Sequence, residues 1–220
     1  IIDGSECWNL KTEDSFTLSG TKYSLILNNG LIIFSNAIGD ITAVDEETGL
    51  ITWQLPTQSR NIINETYNLR NSKIVSDGNS VFFSNNKNEF YSIDAKTGIT
   101  NWINKVNSTT APIIIDNLIF TVSEEGYLYV VEKNVGNIIR ISNLFTNYKE
   151  KTKKNLKPIG FAIGNLKLYL TISNGDILIV DINLGSVVKI KKIGSSLVSK
   201  PLIHNNSLFL VKNGSIVKYN

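Results

Sequence analysis

The stretch GDITAVDEETGLITW, from Gly39 to Trp53, has the form of a β-hairpin. Apolar and polar residues alternate after Gly39, as they do in a half-buried strand. The Asp-Glu-Glu-Thr-Gly sequence that follows is rich in residues that favour turns. A second short apolar stretch then ends at Trp53. We therefore predict two antiparallel strands joined by a tight turn from Asp45 to Gly49.

The same pattern recurs along the chain, which is typical of a repeat protein. Later copies read NEFYSIDAKTGITNW (88–102), GYLYVVEKNVGNIIR (126–140), GDILIVDINLGSVVK (175–189) and, without its second half, GSIVKYN (214–220). The openings of successive copies lie 38 to 49 residues apart. Each complete copy has a glycine ten residues after its opening position, where a hairpin turn needs the left-handed conformation.

Two more apolar stretches, each running into an Asn-, Asp- or Gly-containing turn, precede every hairpin. SLILNNG and LIIFSN do so before the first hairpin, and APIIIDN and LIFTVS before the third. Four-stranded units of about 40 residues indicate a β-propeller. The predicted fold class is all-β, with one domain over residues 1–220 and five four-stranded antiparallel blades. The predicted blades cover roughly 9–53, 54–102, 103–140, 141–189, and 190–220 together with 1–8.

The tryptophans and the two ends of the chain fit this arrangement. Trp8, Trp53 and Trp102 are predicted to fill space between blades. The spacing from Gly4 to Trp8 repeats the glycine–tryptophan spacing of the first two hairpins. Joining Asn220 to the N-terminus gives one whole copy in register, so we expect the N-terminal strand to form the outer strand of the last blade and to cover its edge.

The bulk composition is that of an ordinary globular protein. The chain has 220 residues, of which 42% are hydrophobic and 19% charged, and a net charge of +3. This mild charge does not indicate nucleic acid or an anionic membrane as a partner. No apolar run approaches the roughly 18 residues that a membrane-spanning helix needs. Cys7 is the single cysteine, which excludes an internal disulfide.

The sequence contains no recognisable catalytic constellation. His204 is the single histidine, which excludes a histidine-rich metal site. The glycines fall at repeat turns and not in a phosphate-binding loop. Six of the 19 acidic residues stand where turns need them; these are Asp40, Asp45, Glu46, Glu47, Asp94 and Asp181. We therefore expect no enzyme activity, no cofactor and no metal.

The repeat Gly-x-[Leu/Ile]-x-Ala-[Leu/Val]-Asp-x-x-Thr-Gly-x-x-x-Trp resembles that of the quinoprotein-dehydrogenase-like (PQQ-repeat) propellers. This superfamily includes quinone-dependent alcohol dehydrogenases, lumenal domains of endoplasmic-reticulum stress kinases, and the lipoprotein propeller of the bacterial outer-membrane β-barrel assembly machinery. The segment SSLVSKPLIHNNSLFLVKNGSIVKYN is similar to the closing blades of that lipoprotein, which also ends just after a third strand. The resemblance implies an interaction scaffold in the periplasm, associated with the outer membrane.

The resemblance also implies a docking site. The assembly lipoproteins carry a Leu-Arg pair on a long connection between blades, and YNLRNSKIV places Leu69 and Arg70 at the matching position. Together with Tyr67, these residues are expected to bind the barrel-inserting outer-membrane subunit. Two features depart from the lipoproteins. They have eight blades, so a five-blade chain is either a fragment or a smaller relative. Their lipid-modified cysteine has no equivalent in the sequence around Cys7, so membrane association is expected only through an anchor not seen here.

Two connections between blades are longer than the repeat requires, at roughly 54–71 and 142–157, and long loops commonly carry binding sites. The second contains a basic run, YKEKTKKNLK, with the candidate residues Lys149, Lys151, Lys153 and Lys154. It is either a solvated loop or an electrostatic contact to an acidic partner or a lipid headgroup. A nucleic-acid role is not indicated, because only Tyr148 lies near as an aromatic residue for stacking.

The predicted function is thus a monomeric, non-catalytic scaffold. The first alternative is a quinone-dependent dehydrogenase or a fragment of one, whose quinone and calcium would be held by acidic groups near the central axis. The third possibility is the lumenal domain of a stress sensor, which a membrane span would normally follow.

Overall fold

The computed structural model of the chain describes residues 3–12, 23–36, 39–57, 70–195 and 198–220. They form five antiparallel sheets, of which four have four strands and the last has three. Within each sheet the strands follow one another in chain order as a meander. The predicted all-β fold with four-stranded antiparallel units is confirmed.

Each sheet is one blade, and the blades are numbered along the chain. Blade 1 contains β1 (Leu25–Asn28), β2 (Leu31–Ser35), β3 (Ile41–Asp45) and β4 (Ile51–Leu55). Blade 2 contains β5 (Val75–Ser76), β6 (Ser80–Ser84), β7 (Phe90–Asp94) and β8 (Thr100–Asn104). Blade 3 contains β9 (Ile113–Ile115), β10 (Leu118–Val122), β11 (Tyr127–Glu132) and β12 (Ile138–Asn143). A short helix, α1 (Glu150–Lys153), precedes blade 4. Blade 4 contains β13 (Pro158–Gly164), β14 (Lys167–Ile172), β15 (Asp176–Asp181) and β16 (Val187–Lys192), and blade 5 contains β17 (Leu202–His204), β18 (Ser207–Lys212) and β19 (Ser215–Tyr219).

The turn between the third and fourth strands is built as its sequence predicts. In blade 2 the Asp94 carboxylate accepts hydrogen bonds from the amides of Lys96 and Thr97, at 3.0 and 2.8 Å, and from the Thr97 hydroxyl at 2.8 Å. Gly98 follows with a φ of +73°, a conformation that costs other residues energy. Asp45 and Asp181 accept turn amides in the same way in blades 1 and 4.

A β-bulge recurs at one position of the repeat. The pairing of the third and fourth strands shifts by one residue at Ala43/Val44, Ser92/Ile93, Val130/Val131 and Ile179/Val180. Each site lies four to five residues after the opening position of its copy. Because a bulge increases the local twist, it bends the outer strand in the same way in all four complete blades.

The hydrophobic cores lie between successive blades. One cluster joins blades 1 and 2 around Ile33 and Phe83, and a second joins blades 2 and 3 around Phe82 and Ile119. The largest cluster fills the space between blades 3 and 4, and a smaller one lies between blades 4 and 5. Each sheet therefore buries its apolar faces against its neighbours, as a propeller requires.

The predicted role of Trp53 and Trp102 between blades is confirmed. Trp53 of blade 1 is 8% exposed and donates its indole N–H to the carbonyl of Ala95 in blade 2, at 3.0 Å. Its ring lies so close to Gly98 that an added Cβ would stand 2.7 Å from it. Trp102 makes the same contact with Gly136 of blade 3. The turn glycines of blades 2 and 3 thus admit the tryptophan ring of the preceding blade.

The next interface uses a different side chain for the same purpose. The repeat places Arg140 where blades 1 and 2 carry tryptophan. Its guanidinium donates to the carbonyl groups of Ile182 and Asn183 in blade 4, and its Nε lies beside Gly185. A planar guanidinium can occupy a slot shaped for an aromatic ring and still form hydrogen bonds.

The expected closure of blade 5 by the N-terminal strand is not formed in the described structure. Residues 3–12 adopt no strand, and β19 pairs with β18 alone. The segment is held at blade 1, because Trp8 stacks on Gly49 and donates its indole N–H to the carbonyl of Glu46 at 3.1 Å. Trp8 therefore contacts blade 1 as Trp53 contacts blade 2, without a strand around it.

Candidate interaction surface

Both long connections singled out in the sequence emerge at the same side of the row of blades. In a four-stranded meander, the turn between the second and third strands and the link to the next blade lie at the same end of the sheet. We call this side the connection face; among the described residues it comprises 36, 39–40, 56–57, 70–72, 85–89, 105–112, 123–126, 144–157, 173–175, 193–195 and 198–201.

A chain of hydrogen bonds crosses the connection face from blade to blade. The Asn71 side chain donates to the carbonyl of Gly39 at 2.9 Å. Single β-bridges then join Asn71 to Asn85 and Asn85 to Asn107. The Asn107 side chain donates to the Glu125 carboxylate at 2.6 Å. These bonds make blades 1 to 3 one continuous support for the loops above them.

Arg70 stands on this support with a fixed backbone. Its amide donates to the side-chain oxygen of Asn86 at 2.8 Å, and its carbonyl accepts from the Asn86 amide at 3.1 Å. The residue itself is exposed. Tyr67 and Leu69, the other two candidates on this connection, lie outside the described residues.

The second connection carries the basic segment, residues 149–157, which contains α1. Lys149, Lys151 and Lys154 are exposed, and none of them forms an ion pair with an acidic residue of the described chain. Lys153 is half-buried and pairs with Glu150 at 2.6 Å. Of the four predicted lysines, three therefore present free charge to solvent, whereas Lys153 is engaged within the helix.

The basic segment is anchored at its beginning by two aromatic residues. Phe145 is 1% exposed and covers Gly126 of blade 3. Tyr148 packs edge-on against Phe145, with ring centroids 6.1 Å apart. Its hydroxyl donates to the Asp176 carboxylate of blade 4 at 2.7 Å. Burial and, to a smaller degree, this hydrogen bond to Asp176 raise the pKa of the Tyr148 hydroxyl far above its usual value.

Buried carboxylates hold the end of the segment and the loops beside it. Glu124 accepts a short hydrogen bond from Thr109 and pairs with Lys157 at 3.5 Å. Asp176 also pairs with Lys192 at 3.5 Å. Asp40 of blade 1 accepts the amide of Thr57 at 2.9 Å. The buried acids thus fix the loops of the connection face.

Sequence reasoning missed the roles of Glu124 and Asp176. The repeat held a signal for Asp176, because it follows an opening glycine as Asp40 does. No comparable signal marks Glu124, whose partners Thr109 and Lys157 lie on two different connections.

The comparison that decides the family is a match of sequence. The family described as outer membrane protein assembly factor BamB matches residues 1–142, which is more than half of the chain. The chain belongs to the BamB family. This agrees with the resemblance read from the repeat, and no curated protein sequence matches the chain.

Solved structures agree with a BamB-like propeller. The crystal structure of BamB from Moraxella catarrhalis matches 98% of this chain with a TM-score of 0.74, at 16% sequence identity. The β-propeller domain of Cps50 (Swd1) from Myceliophteria thermophila matches 85% of this chain and 61% of its own, with a TM-score of 0.64 at 11% identity. Identities this low establish the fold alone. The chain spans 63% of the length of the Moraxella BamB chain.

Two other kinds of site are absent from the described residues. They contain no group of three or more His, Cys, Asp or Glu side chains arranged to hold a metal ion. They also contain no helix with the length and hydrophobicity that crossing a bilayer requires.

Proposed function

We propose that this BamB-family chain is a non-catalytic scaffold of outer-membrane protein assembly, which docks the barrel-inserting subunit through its connection face. It would act in the periplasm, at the outer membrane. The observation that supports the proposal is the family match over residues 1–142, together with an exposed Arg70 on a fixed backbone within the matched region.

The chemistry of the connection face favours an acidic protein partner. Arg70, Lys149, Lys151 and Lys154 are exposed cations on two connections of the same face. Arginine is enriched among the residues that dominate binding energy, because its planar fork can bind a carboxylate through two hydrogen bonds. The lysines would mainly accelerate the encounter with an acidic surface, an effect that salt weakens.

The non-catalytic part of the proposal rests on what the buried acids do. Asp40, Glu124 and Asp176 each accept a hydrogen bond from, or pair with, a residue that fixes a loop. Carboxylates used in this way stabilise the scaffold. Stoichiometric binding of pyrroloquinoline quinone with calcium, measured by absorbance and calorimetry, would contradict this part and favour a quinoprotein.

The docking part is tested by co-purification with the barrel-inserting subunit. We expect Arg70→Glu to abolish co-purification and to leave the melting temperature within about 2 °C, because exposed substitutions change stability by less than ~0.5 kcal/mol. Replacing Lys149, Lys151 and Lys154 together by glutamate should weaken binding and reduce its dependence on salt.

The matched control is Lys96→Glu, which reverses an exposed charge on the opposite side of blade 2, in a turn between its third and fourth strands. It should bind as the unmodified protein does. If Arg70→Glu also binds normally with an intact fold, this connection is not the docking site. Loss of binding in the control would mean that net charge alone decides the interaction.

A further inference from the structure

The exposed lysines of the connection face are concentrated at blade 4. We call this part of the face the basic half and define it as residues 144–157, 173–175, 193–195 and 198–201. Its exposed lysines are Lys149, Lys151, Lys154, Lys157 and Lys200. Lys192 is also exposed and ends β16 beside it. The net charge of +3 does not reveal this concentration, because acidic residues elsewhere in the chain offset the lysines.

Acidic residues neutralise only part of this positive charge. Three ion pairs, 2.6 to 3.5 Å long, join Lys153 to Glu150, Lys157 to Glu124 and Lys192 to Asp176. The lysines that form no ion pair with a described acidic residue are Lys149, Lys151, Lys154 and Lys200. Uncompensated positive charge on one side of the molecule attracts an extended anionic surface.

Hydrogen bonds between loops hold these lysines on one platform. The Ser173 amide donates to the carbonyl of Lys157 at 2.8 Å, and the Lys157 amide donates to the Ser173 hydroxyl at 2.9 Å. The hydroxyl of Thr171 donates to the carbonyl of Ser199, directly before Lys200, at 3.0 Å. Both loops are thus tied to the end of β14, so the backbone positions of their lysines are fixed relative to each other.

Among its described residues, the basic half exposes no aromatic or large aliphatic side chain. Phe145 and Leu156 are 1% and 3% exposed, Tyr148 is half-buried and bonded to Asp176, and Ile159 lies beyond this half in β13. The other exposed residues are polar: Thr146, Asn147, Glu150, Thr152, Asn155 and Ser195. Aromatic residues and arginine dominate binding between proteins, and lysine is depleted there. A surface that offers lysine charge alone therefore suits a partner that is bound by charge and not by shape.

We propose that the basic half binds the surface of a membrane that contains anionic phospholipids. Clusters of lysines close to a bilayer bind anionic lipids in this way. Each lysine carries a compact charge on a flexible stem, so its ammonium group can follow lipids that move in the plane of the bilayer. That this membrane is the outer membrane rests on the proposed function, whereas the lipid chemistry rests on the lysines.

Lipid binding is compatible with the docking of a protein at Arg70. Arg70 lies on a different connection, between blades 1 and 2. The lysines can accelerate the encounter with an acidic partner from a distance, without touching it. Their ammonium groups therefore remain available to lipid phosphates.

The test measures how the 220-residue chain binds to lipid vesicles by co-sedimentation. We expect binding to vesicles of phosphatidylcholine with phosphatidylglycerol, weakened by added salt, and none to phosphatidylcholine alone. Phosphatidylserine at equal charge should replace phosphatidylglycerol, because lysine charges do not read the shape of the headgroup. Soluble glycerol phosphate should not compete, since a single phosphate cannot engage several lysines at once.

A matched pair of double variants locates the binding surface. Lys154→Gln with Lys200→Gln removes two charges from two loops of the basic half. Lys96→Gln with Lys167→Gln removes two exposed charges on the opposite side of blades 2 and 4. Each lysine near an anionic surface contributes about fivefold to binding, so the first variant should bind about 25-fold more weakly and the second as the unmodified protein does.

Lysine acetylation, read by mass spectrometry, measures which side of the chain faces the vesicle. Anionic vesicles should slow the acetylation of Lys154 and Lys200. The acetylation of Lys96 and Lys167 should proceed at an unchanged rate, because these lysines lie on the side that faces away from the lipid.

Three results would overturn the proposal. The first is no binding to anionic vesicles, and the second is an equal loss of binding in the two double variants. The third is a loss of co-purification with the barrel-inserting subunit in Lys154→Gln with Lys200→Gln while vesicle binding is unchanged, which would assign these lysines to a protein contact. Docking through Arg70 is tested separately by Arg70→Glu, so it can stand or fall without the lipid contact.

Discussion

Replacing Gly98 by alanine should destabilise the protein strongly, because Gly98 accommodates the ring of Trp53. The added Cβ would stand 2.7 Å from one ring atom and 2.8 Å from two others. The ring cannot move aside easily, since Trp53 is 8% exposed and bonded to the carbonyl of Ala95. The left-handed backbone costs about 1–2 kcal/mol for alanine, and overpacking costs about 1–3 kcal/mol more. We therefore expect a loss of about 2–5 kcal/mol in the free energy of unfolding.

The matched control is Gly78→Ala in the same blade. Gly78 has a φ of +97°, but an added Cβ would meet nothing within 4 Å. Its backbone is at least as unfavourable for alanine as that of Gly98, yet we expect a loss of only about 1–2 kcal/mol. Urea unfolding followed by far-ultraviolet circular dichroism measures both values.

A double-mutant cycle tests the cause. With Trp53→Leu already present, Gly98→Ala should cost only the backbone strain, so the two changes should be strongly non-additive. The reasoning is refuted if Gly98→Ala and Gly78→Ala cost the same, or if the cost of Gly98→Ala persists without the tryptophan ring.

Three further changes probe other contacts. Hydrogen bonds from the hydroxyl and amide of Thr97 lower the pKa of Asp94 below its usual 3.8. The ionised Asp94 therefore stabilises the fold above pH 3.8, and this contribution is lost as the pH falls through the lowered pKa. Between pH 5 and pH 2, the urea midpoint should fall less in Asp94→Asn than in the unmodified protein. Arg140→Lys should lower the free energy of unfolding in urea by about 1–3 kcal/mol, because an ammonium group cannot reach both carbonyl groups of blade 4 in the plane of the slot. An unchanged urea midpoint would contradict this. Tyr148→Phe removes the hydrogen bond to Asp176, so it should lower the free energy of unfolding by about 1 kcal/mol. It should also speed hydrogen exchange in the basic segment. Unaltered exchange would show that Phe145 alone anchors the segment.

The sequence was sufficient to predict the strands and their turns. The hairpin from Gly39 to Trp53 and its copies encode local structure, in which an aspartate binds the amides two and three residues ahead and a glycine supplies a positive φ. These interactions depend on spacing along the chain, so their residue types must recur. The slots between blades were also predictable where the filling residue recurs, as Trp53 and Trp102 do.

Contacts between different positions of the repeat could not be predicted in this way. Tyr148 meets Asp176 28 residues later, and Glu124 joins Thr109 to Lys157. Neither set of contacts recurs among the described residues of the other blades, and each of these residues would suit an ordinary solvated loop. Their partners are set by how one blade sits against the next, which no local pattern records.

The N-terminal segment also shows the difference between what the local sequence predicts and what the tertiary structure decides. Its spacing from Gly4 to Trp8 predicted an outer strand, which residues 3–12 do not form. Its tryptophan nevertheless contacts the glycine turn of a blade, at Gly49. The sequence did not establish which inner strand lies beside this segment. In the described structure the segment pairs with no strand, and β19 pairs with β18 alone. A repeat specifies which kind of strand each strand can pair with, because the pattern is local. Whether two particular strands meet depends on their distance in space, which the rotations from blade to blade set over the whole chain.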